Sequence, residues 1–126
     1  MGVYRLEVDY SIWPANRGYR MPAEWEEHLA TWLSWPHNRD TWPDALPAVE
    51  SAMVSIIEAL SESERIRINV LNESHERHVA GLLCGRVEPR AITFHQFPTN
   101  DAWCRDHGAI FLTRDEQDSP LMALDF

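Results

Sequence analysis

The amino-acid sequence predicts an α/β fold. Segments with the two-residue period of a strand alternate with segments that have the period of a helix. Their order is strand, helix, strand, helix, strand and then a hairpin, which is typical of α/β or α+β domains. The chain has 126 residues, 44% of them hydrophobic, which is enough for one modest domain with its own core. No clear internal repeat is visible in the sequence.

The first strand and the first helix follow from two apolar patterns. Residues from Leu29 to Trp35 form a compact apolar run of strand length, which Pro36 ends. Thr41 and Asp44 then offer side-chain oxygens for a helix N-cap. Beyond them, apolar residues recur at helical spacing and predict a helix with one buried face. These residues are Val49, Ala52, Met53, Ile56, Ile57 and Leu60.

The next three elements continue the alternation. Residues 66–70 place isoleucine or valine at every second position, which predicts a half-buried strand. Asn72 is a suitable N-cap for a second helix that runs through Cys84 and ends at Gly85. Residues 92–97 alternate again and predict a third strand. The apolar residues of the second helix that are expected to face inward are Val79, Leu82 and Leu83.

The two ends of the chain are less regular. A further strand is predicted from Ala102 to Thr113, and a polar turn over residues 114–120 joins it to a last apolar strand over residues 121–126. Residues 1–20 show weak periodicity and form an N-terminal arm with one short strand at most. Because the last apolar strand stops without polar terminal residues, we expect the chain to be the first part of a longer protein.

The composition excludes several classes of function. A formal net charge of −9 argues against nucleic-acid binding, which rests on neutralising phosphates with lysine and arginine. The same charge favours cationic ligands. All 11 basic residues are arginine, so the chain offers no lysine for a Schiff base or a phosphate-binding loop.

The cysteines and histidines give no pattern of a metal site. Cys84 and Cys104 have no metal-ligand spacing and make no disulfide framework, and we expect both to be packed thiols. His75 and His78 lack a recognisable third ligand and are expected on the solvated face of the second helix. No apolar run is long enough to span a bilayer, and the N-terminus lacks the apolar region of a signal peptide. We expect a cytoplasmic protein without a metal or a cofactor, and we leave homo-oligomerisation open.

The segment from Pro98 to Gly108 combines two carboxylates, an indole, an amide and an arginine. Polar groups at this density beside a strand are costly to bury without partners, which indicates a site for a planar cation. A carboxylate such as Asp106 matches the fork of a guanidinium, and the indole of Trp103 adds a cation–π contact. In a regular strand, residues three positions apart point to opposite faces. Trp103 and Asp106 can therefore bind the same cation only if the backbone departs from a regular strand between them.

Three blocks of the sequence resemble the agmatine deiminase and bacterial peptidyl-arginine deiminase family. They are Met21 to Trp25, Thr31 to Asn38, and the Asn-Asp-x-Trp-x-Arg-Asp-x-Gly motif from Asn100 to Gly108. The resemblance implies that residues 1–20 are an N-terminal arm and residues 21–126 the N-terminal portion of a truncated deiminase catalytic domain. It also implies a five-bladed α/β propeller, the pentein fold, of which this chain supplies about the first blade and a half.

The resemblance also implies roles within the motif. Asp106 would bind the substrate guanidinium as a catalytic residue, and Trp103 would lie beside the substrate. Asp101 and Arg105 are expected to hold the loop. Ala109 stands where family members commonly have proline. The family's cysteine nucleophile, its general acid–base histidine and a second acidic residue have no counterpart in this chain.

The implied reaction is hydrolysis of the guanidinium of agmatine to N-carbamoylputrescine and ammonia, a step of putrescine biosynthesis. It proceeds through a covalent thiouronium intermediate on the cysteine. The expected partner is therefore a small guanidinium molecule, agmatine, and neither a nucleic acid nor a membrane. Two alternatives stay open: a protein-arginine deiminase, and a non-catalytic guanidinium-binding fragment.

Overall fold

The chain divides into two compact units. The larger unit is Glu27–His107, and the smaller unit consists of Met1–Glu26 and Gly108–Phe126. The larger unit carries alternating strands and helices and the smaller unit carries a hairpin, so the predicted mixed α/β content is confirmed. The residues that the computed structural model describes are 10–115, 118 and 120–124.

A three-stranded parallel sheet forms the centre of the larger unit. Strand β1 is Ala30–Ser34, β2 is Arg65–Val70 and β3 is Ile92–Gln96, and β2 lies between the other two. All three strands coincide with predicted ones to within a residue or so at each end. Because the strands are parallel, their carboxyl ends meet at one edge of the sheet. One row across the three strands consists of Leu33, Ile68 and Phe94.

Two helices cover one face of this sheet. Helix α1, Leu46–Ser61, joins β1 to β2, and helix α2, Glu73–Leu83, joins β2 to β3. Both helices share a single core with alternate residues of β2, and each fully buried aliphatic side chain there contributes about 1.5–3 kcal/mol. Among the described residues, no helix is both long and apolar enough to cross a bilayer. The buried core consists of Trp35, Val54, Ile57, Ile66, Ile68, Val70, Val79, Leu83 and Val87.

The sequence correctly predicted the N-cap of α2 but not that of α1. The Asn72 side-chain oxygen accepts a hydrogen bond from the His75 N–H at 3.0 Å, which confirms the predicted cap of α2. Gly85 follows that helix with a φ of 75°, in the left-handed region, as its predicted place at the helix end requires. The predicted cap of α1 by Thr41 or Asp44 is wrong, because the helix starts only at Leu46 and no side chain caps it.

Gly18, with φ 79°, has a left-handed backbone like that of Gly85. In this region a side chain would clash with the backbone, so glycine is the residue that adopts it without strain. Asp44 also has a positive φ, 59°, which turns the chain just before α1. That turn explains why the polar residues there do not cap the helix.

The buried faces of the helices are narrower than predicted. Ile56 is 47% exposed and Leu82 is 36% exposed, although both were expected to face inward, and Ala52 is exposed too. In α1 the prediction is confirmed for Ile57, which is buried, and for Met53 and Leu60, which pack partly buried against the core. Val54, which was not predicted, is buried as well, three positions from Ile57 on the same side of the helix. A three-stranded sheet offers room for only a narrow stripe of each helix, so the outer apolar positions stay in solvent.

The smaller unit contains an antiparallel hairpin. Strand β4, Ile110–Thr113, pairs with strand β5, Leu121–Leu124, and the predicted hairpin is confirmed over these residues. Arg20 forms a bridge to Thr113, with both backbone hydrogen bonds at 2.9 Å. The rest of the described arm contains 3-10 turns. The parts of the predicted arm, turn and last strand that lie outside the described residues are 1–9, 116, 117, 119, 125 and 126.

The predicted strand from Ala102 to Thr113 is wrong in its first half. Cys104–His107 form a single helical turn, α3, and only Ile110–Thr113 is a strand. The Asp101 carboxylate accepts a hydrogen bond from the Ala102 N–H at 2.7 Å. Short polar side chains that bond to the nearby backbone favour turns over strands, because they satisfy groups that a strand would pair with a neighbour.

Candidate functional site

The helical turn α3 brings the two predicted site residues together along the chain. Trp103 directly precedes the turn and Asp106 lies within it. The Asp106 N–H donates a hydrogen bond to the Trp103 carbonyl at 3.0 Å. Residues three positions apart in a helical turn lie on the same side, whereas in a strand they would point apart. The backbone therefore departs from a strand at the place where the sequence required it.

Both side chains are accessible. Trp103 is 54% exposed, and Asp106 is exposed as well. The Trp103 ring lies near the ring of Trp42, with a centroid distance of 6.4 Å and a tilt of 39°. Trp42 lies in the loop between β1 and α1, so this contact links α3 to the carboxyl-end edge of the sheet. An accessible carboxylate beside an accessible indole is suited to a planar cation.

A polar row lies across the sheet next to this turn. In register, Ser34, Asn69 and His95 are neighbours on the three parallel strands. The Asn69 side-chain amide donates to Ser34 Oγ at 3.1 Å, and Ser34 Oγ lies 3.1 Å from Cys104 Sγ, where either atom can donate. The row thus continues into the first residue of α3.

Sequence reasoning did not identify Ser34 and Asn69. Each is polar and lies at or next to the carboxyl end of its strand, which is where ligands gather in parallel sheets. A polar residue at the end of a predicted strand was the feature of the sequence that could have identified them. This feature indicates a site only once the strands are known to be parallel and in register.

The two cysteines have different surroundings. Cys104 is half-buried and forms a hydrogen bond with Ser34, whereas Cys84 is exposed. The expectation that Cys84 is a packed thiol is therefore wrong. It follows the last residue of α2 with extended backbone and precedes the left-handed Gly85, so the chain has already left the helix face that enters the core.

A cluster of histidines lies at the start of α2. The ring centroids of His75 and His37 are 5.7 Å apart, those of His75 and His78 are 6.4 Å apart, and His78 Nε2 lies 2.7 Å from Glu50 Oε1. The expected solvated face is wrong for His75, which is half-buried and whose Nδ1 accepts the Leu71 N–H at 3.1 Å.

Burial lowers the pKa of His75, and the electrostatic interaction with His37 and His78 lowers it further. The neutral ring is the form that accepts the Leu71 hydrogen bond, so geometry and charge favour the same protonation state. Within residues 10–115, 118 and 120–124, no group of three or more histidine, cysteine or acidic residues could hold a metal ion.

The block from Met21 to Trp25 belongs to the smaller unit and is shaped by Glu26. The Glu26 carboxylate binds the Arg20 guanidinium through two hydrogen bonds, at 2.7 and 2.9 Å, and also accepts the Ala23 N–H at 2.7 Å. These bonds lower the pKa of Glu26 to about 2. Trp25, next to it, is 90% exposed. The pair shows within this chain how a carboxylate holds a guanidinium by both nitrogens.

Known proteins resemble this chain in sequence and in structure. The agmatine deiminase of Pseudomonas aeruginosa (strain LESB58) is 31% identical over 105 residues, which are 83% of this chain and 27% of that protein. The structure of C. jejuni agmatine deiminase matches with a TM-score of 0.70 and 25% identity over 86% of this chain and 31% of that one. A C. jejuni C315S agmatine deiminase with substrate bound matches with a TM-score of 0.69 and 25% identity, over 86% of this chain and 29% of that one.

These matches cover most of this chain but a minor part of each relative. The chain spans about a quarter of the length of the curated relatives, 26% or 27%. A family model described as Porphyromonas-type peptidyl-arginine deiminase matches residues 20–126. That range contains all three sequence blocks and the whole larger unit. The chain therefore belongs to the Porphyromonas-type peptidyl-arginine deiminase family.

Proposed function

We propose that this chain is the N-terminal part of an agmatine deiminase, which hydrolyses agmatine to N-carbamoylputrescine and ammonia in putrescine biosynthesis. One observation carries the proposal: the helical turn α3 presents Trp103 and Asp106 together and accessible. Relatives from P. aeruginosa and C. jejuni that are named agmatine deiminases support the choice of substrate.

Asp106 binds the guanidinium of the substrate and Trp103 lies against it. Two parallel hydrogen bonds from the guanidinium fork to a carboxylate contribute about 1.5–3 kcal/mol each. The indole face adds roughly 0.5–2 kcal/mol through a cation–π contact. Agmatine carries a second positive charge on its amine, and the formal net charge of −9 of the chain favours such a dication over an anion.

The bond-making groups of the reaction lie in the remainder of the protein. A cysteine thiolate there attacks the guanidinium carbon, a histidine gives a proton to the departing nitrogen, and ammonia leaves. The same histidine then removes a proton from water, which attacks the thiouronium carbon and releases the ureido product and the thiolate. Asp106 takes part by holding the guanidinium in place through both steps.

The proposal extends to the architecture of the whole protein. Residues 21–126 are the N-terminal portion of the catalytic domain and residues 1–20 an arm that precedes it. The chain supplies about the first blade and a half of a five-bladed propeller whose remaining blades complete the site. The protein works in the cytoplasm on a small molecule, without a nucleic-acid or membrane partner.

A second candidate is a protein-arginine deiminase. The description of the matching family model, which names peptidyl-arginine, favours it. Both candidates use the same guanidinium contacts at Asp106 and differ in what the rest of the substrate is. A third candidate is a non-catalytic guanidinium-binding fragment, which keeps Asp106 and lacks the nucleophile.

The test is ammonia release by the complete protein, expressed from the whole reading frame that contains this sequence. Agmatine, free arginine and an arginine-containing peptide are compared as substrates, and we expect agmatine to be hydrolysed with the highest kcat/KM. Asp106→Ala lowers kcat/KM for agmatine by roughly a hundredfold or more, because two charge-assisted hydrogen bonds are lost. Asp40→Ala, which removes an exposed carboxylate in the loop after β1, serves as the matched control and keeps wild-type kcat/KM.

Three outcomes would contradict the proposal. Near wild-type turnover by Asp106→Ala would reject the role of this carboxylate. A preference for the peptide would identify a protein-arginine deiminase. A stop codon directly after Phe126, together with binding of agmatine and no ammonia release, would identify a non-catalytic guanidinium-binding fragment.

A further inference from the structure

Ser34 is an unusual residue for its place in the fold. It is 1% exposed, and among the residues that the structure describes it is the one buried polar side chain. An apolar residue at the end of a parallel strand would be the ordinary choice, since strands of parallel sheets are buried. The hydroxyl of Ser34 instead joins Asn69 on one side and Cys104 on the other, each at 3.1 Å.

The polar row around Ser34 carries a cost that an apolar row would avoid. Two of its buried atoms, Asn69 Oδ1 and His95 Nε2, have no hydrogen-bond partner among the described residues. Buried polar atoms without partners destabilise a fold. A contribution to stability therefore does not account for the polar row. Its two hydrogen bonds instead connect Asn69 to Ser34 and Ser34 to Cys104, the first residue of α3.

The turn α3 needs support from outside itself. It has four residues, Cys104–His107, and so short a helix does not persist in water by its own hydrogen bonds. The Asp101 carboxylate bonds to the backbone just before it, and Trp42 contacts Trp103. The hydrogen bond between Ser34 and Cys104 ties its first residue directly to the sheet.

We propose that Ser34 is a positioning residue for the guanidinium site: with Asn69 it holds Cys104, and through Cys104 it fixes the turn that carries Trp103 and Asp106. This inference rests on the proposed function for its meaning to catalysis. Cys104 stands at a position that the motif leaves unspecified, and its role here is to accept or donate one hydrogen bond. Ser34 touches no substrate and acts only through α3.

The first test measures backbone order in the 126-residue chain by NMR relaxation. In the wild type we expect amide order parameters of about 0.85 for Trp103 and Asp106, the value of a rigid backbone. Cys104→Val, which replaces the thiol with a slightly larger apolar side chain and removes its hydrogen bond, lowers both below about 0.6. Cys104→Ser, which can still bond to Ser34, keeps them near the wild-type value. The amide of Ile68 in β2 reports whether the sheet itself is intact.

Ser34→Ala gives an independent variant with the same expected loss of order in α3. Unchanged order parameters in Cys104→Val and Ser34→Ala would overturn the inference. An equal loss at Ile68 would also overturn it, because Ser34 would then support the fold in general. Loss confined to α3, with rescue by Cys104→Ser, supports it.

The second test measures agmatine kinetics in the complete protein. Ser34→Ala raises KM roughly tenfold and changes kcat less, since the guanidinium contacts are misplaced while the nucleophile is untouched. Cys104→Ser retains the wild-type KM. If the wild type releases no ammonia from agmatine, the proposed function fails, and the order parameters alone then decide whether Ser34 holds α3. If the wild type is active and Ser34→Ala has the wild-type KM, the inference fails and the proposed function stands.

Discussion

At the scale of single residues, His75 couples the fold to pH. Its Nδ1 accepts the Leu71 N–H, and burial together with His37 and His78 lowers its pKa. The carboxylate of Glu50, which pairs with His78, acts on it in the opposite direction. The neutral ring is thus preferred in the folded chain.

We expect this preference to make the folded chain less stable in mild acid. The unfolded chain takes up the His75 proton near the ordinary pKa of about 6.5, whereas the folded chain takes it up at a lower pH. The contribution of His75 is therefore complete above about pH 6.5 and is lost as the pH falls through that value towards the lowered pKa. Urea unfolding at pH 7.5 and at pH 5.5 measures the difference.

His75→Asn provides the control for this pH dependence. Asparagine offers an oxygen to the Leu71 N–H and does not titrate, so the loss of stability between the two pH values becomes smaller than in the wild type. An identical loss in the wild type and in His75→Asn would contradict the assignment. Titration of the His75 ring by NMR measures the same pKa directly.

The sequence alone was enough to propose Trp103 and Asp106 as site residues, whereas the contacts that surround them could not be predicted. Trp103 and Asp106 stand three positions apart in a dense polar motif, so both could be identified from residues that are neighbours in the sequence. Ser34 and Asn69 lie more than thirty positions before Trp103, on two neighbouring strands. The register of the sheet places Ser34 beside Asn69, and the folded chain places Ser34 Oγ 3.1 Å from Cys104 Sγ. Residue patterns along the chain do not contain that register.

At the scale of elements, α2 depends on the cap that Asn72 supplies. Its side-chain oxygen accepts the His75 N–H at 3.0 Å, which satisfies one of the first unpaired donors of the helix. Asn72→Ala is expected to lower the free energy of unfolding by about 1 kcal/mol. Urea denaturation measures it as a lower midpoint with an unchanged slope.

A matched pair of variants separates capping from general effects on α2. Asn72→Ser keeps a capping oxygen and retains most of the stability. Ser74→Ala changes an exposed residue inside the first turn and should leave the midpoint nearly unchanged. A loss in Ser74→Ala as large as that in Asn72→Ala would contradict the capping role.

Elements with a regular pattern were predictable, and elements set by local hydrogen bonds were not. The alternation over residues 66–70 and the cap at Asn72 identified β2 and α2. The turn α3 was missed because the apolar residues around it suggested a continuous strand. At the start of the predicted strand the Asp101 carboxylate accepts a hydrogen bond from the Ala102 N–H, a local interaction that competes with strand pairing.

At the scale of the whole molecule, the chain matches a minor part of its relatives. It covers 26% or 27% of the curated relatives, and the family match spans residues 20–126. In the proposed function, the chain supplies the turn that carries Asp106 and a net charge of −9, and the nucleophile lies outside it. We therefore expect the 126-residue chain alone to release no ammonia from agmatine. Detectable ureido product from that chain would mean that Cys84 or Cys104 has a chemical role.

The most direct measurement is a crystal structure of the complete protein with agmatine bound. We expect both carboxylate oxygens of Asp106 to lie about 2.7–2.9 Å from two guanidinium nitrogens. The guanidinium carbon should lie within about 6 Å of the centre of the Trp103 ring. A bound guanidinium that is held by other acidic residues, with the Asp106 side chain turned away from it, would contradict the account.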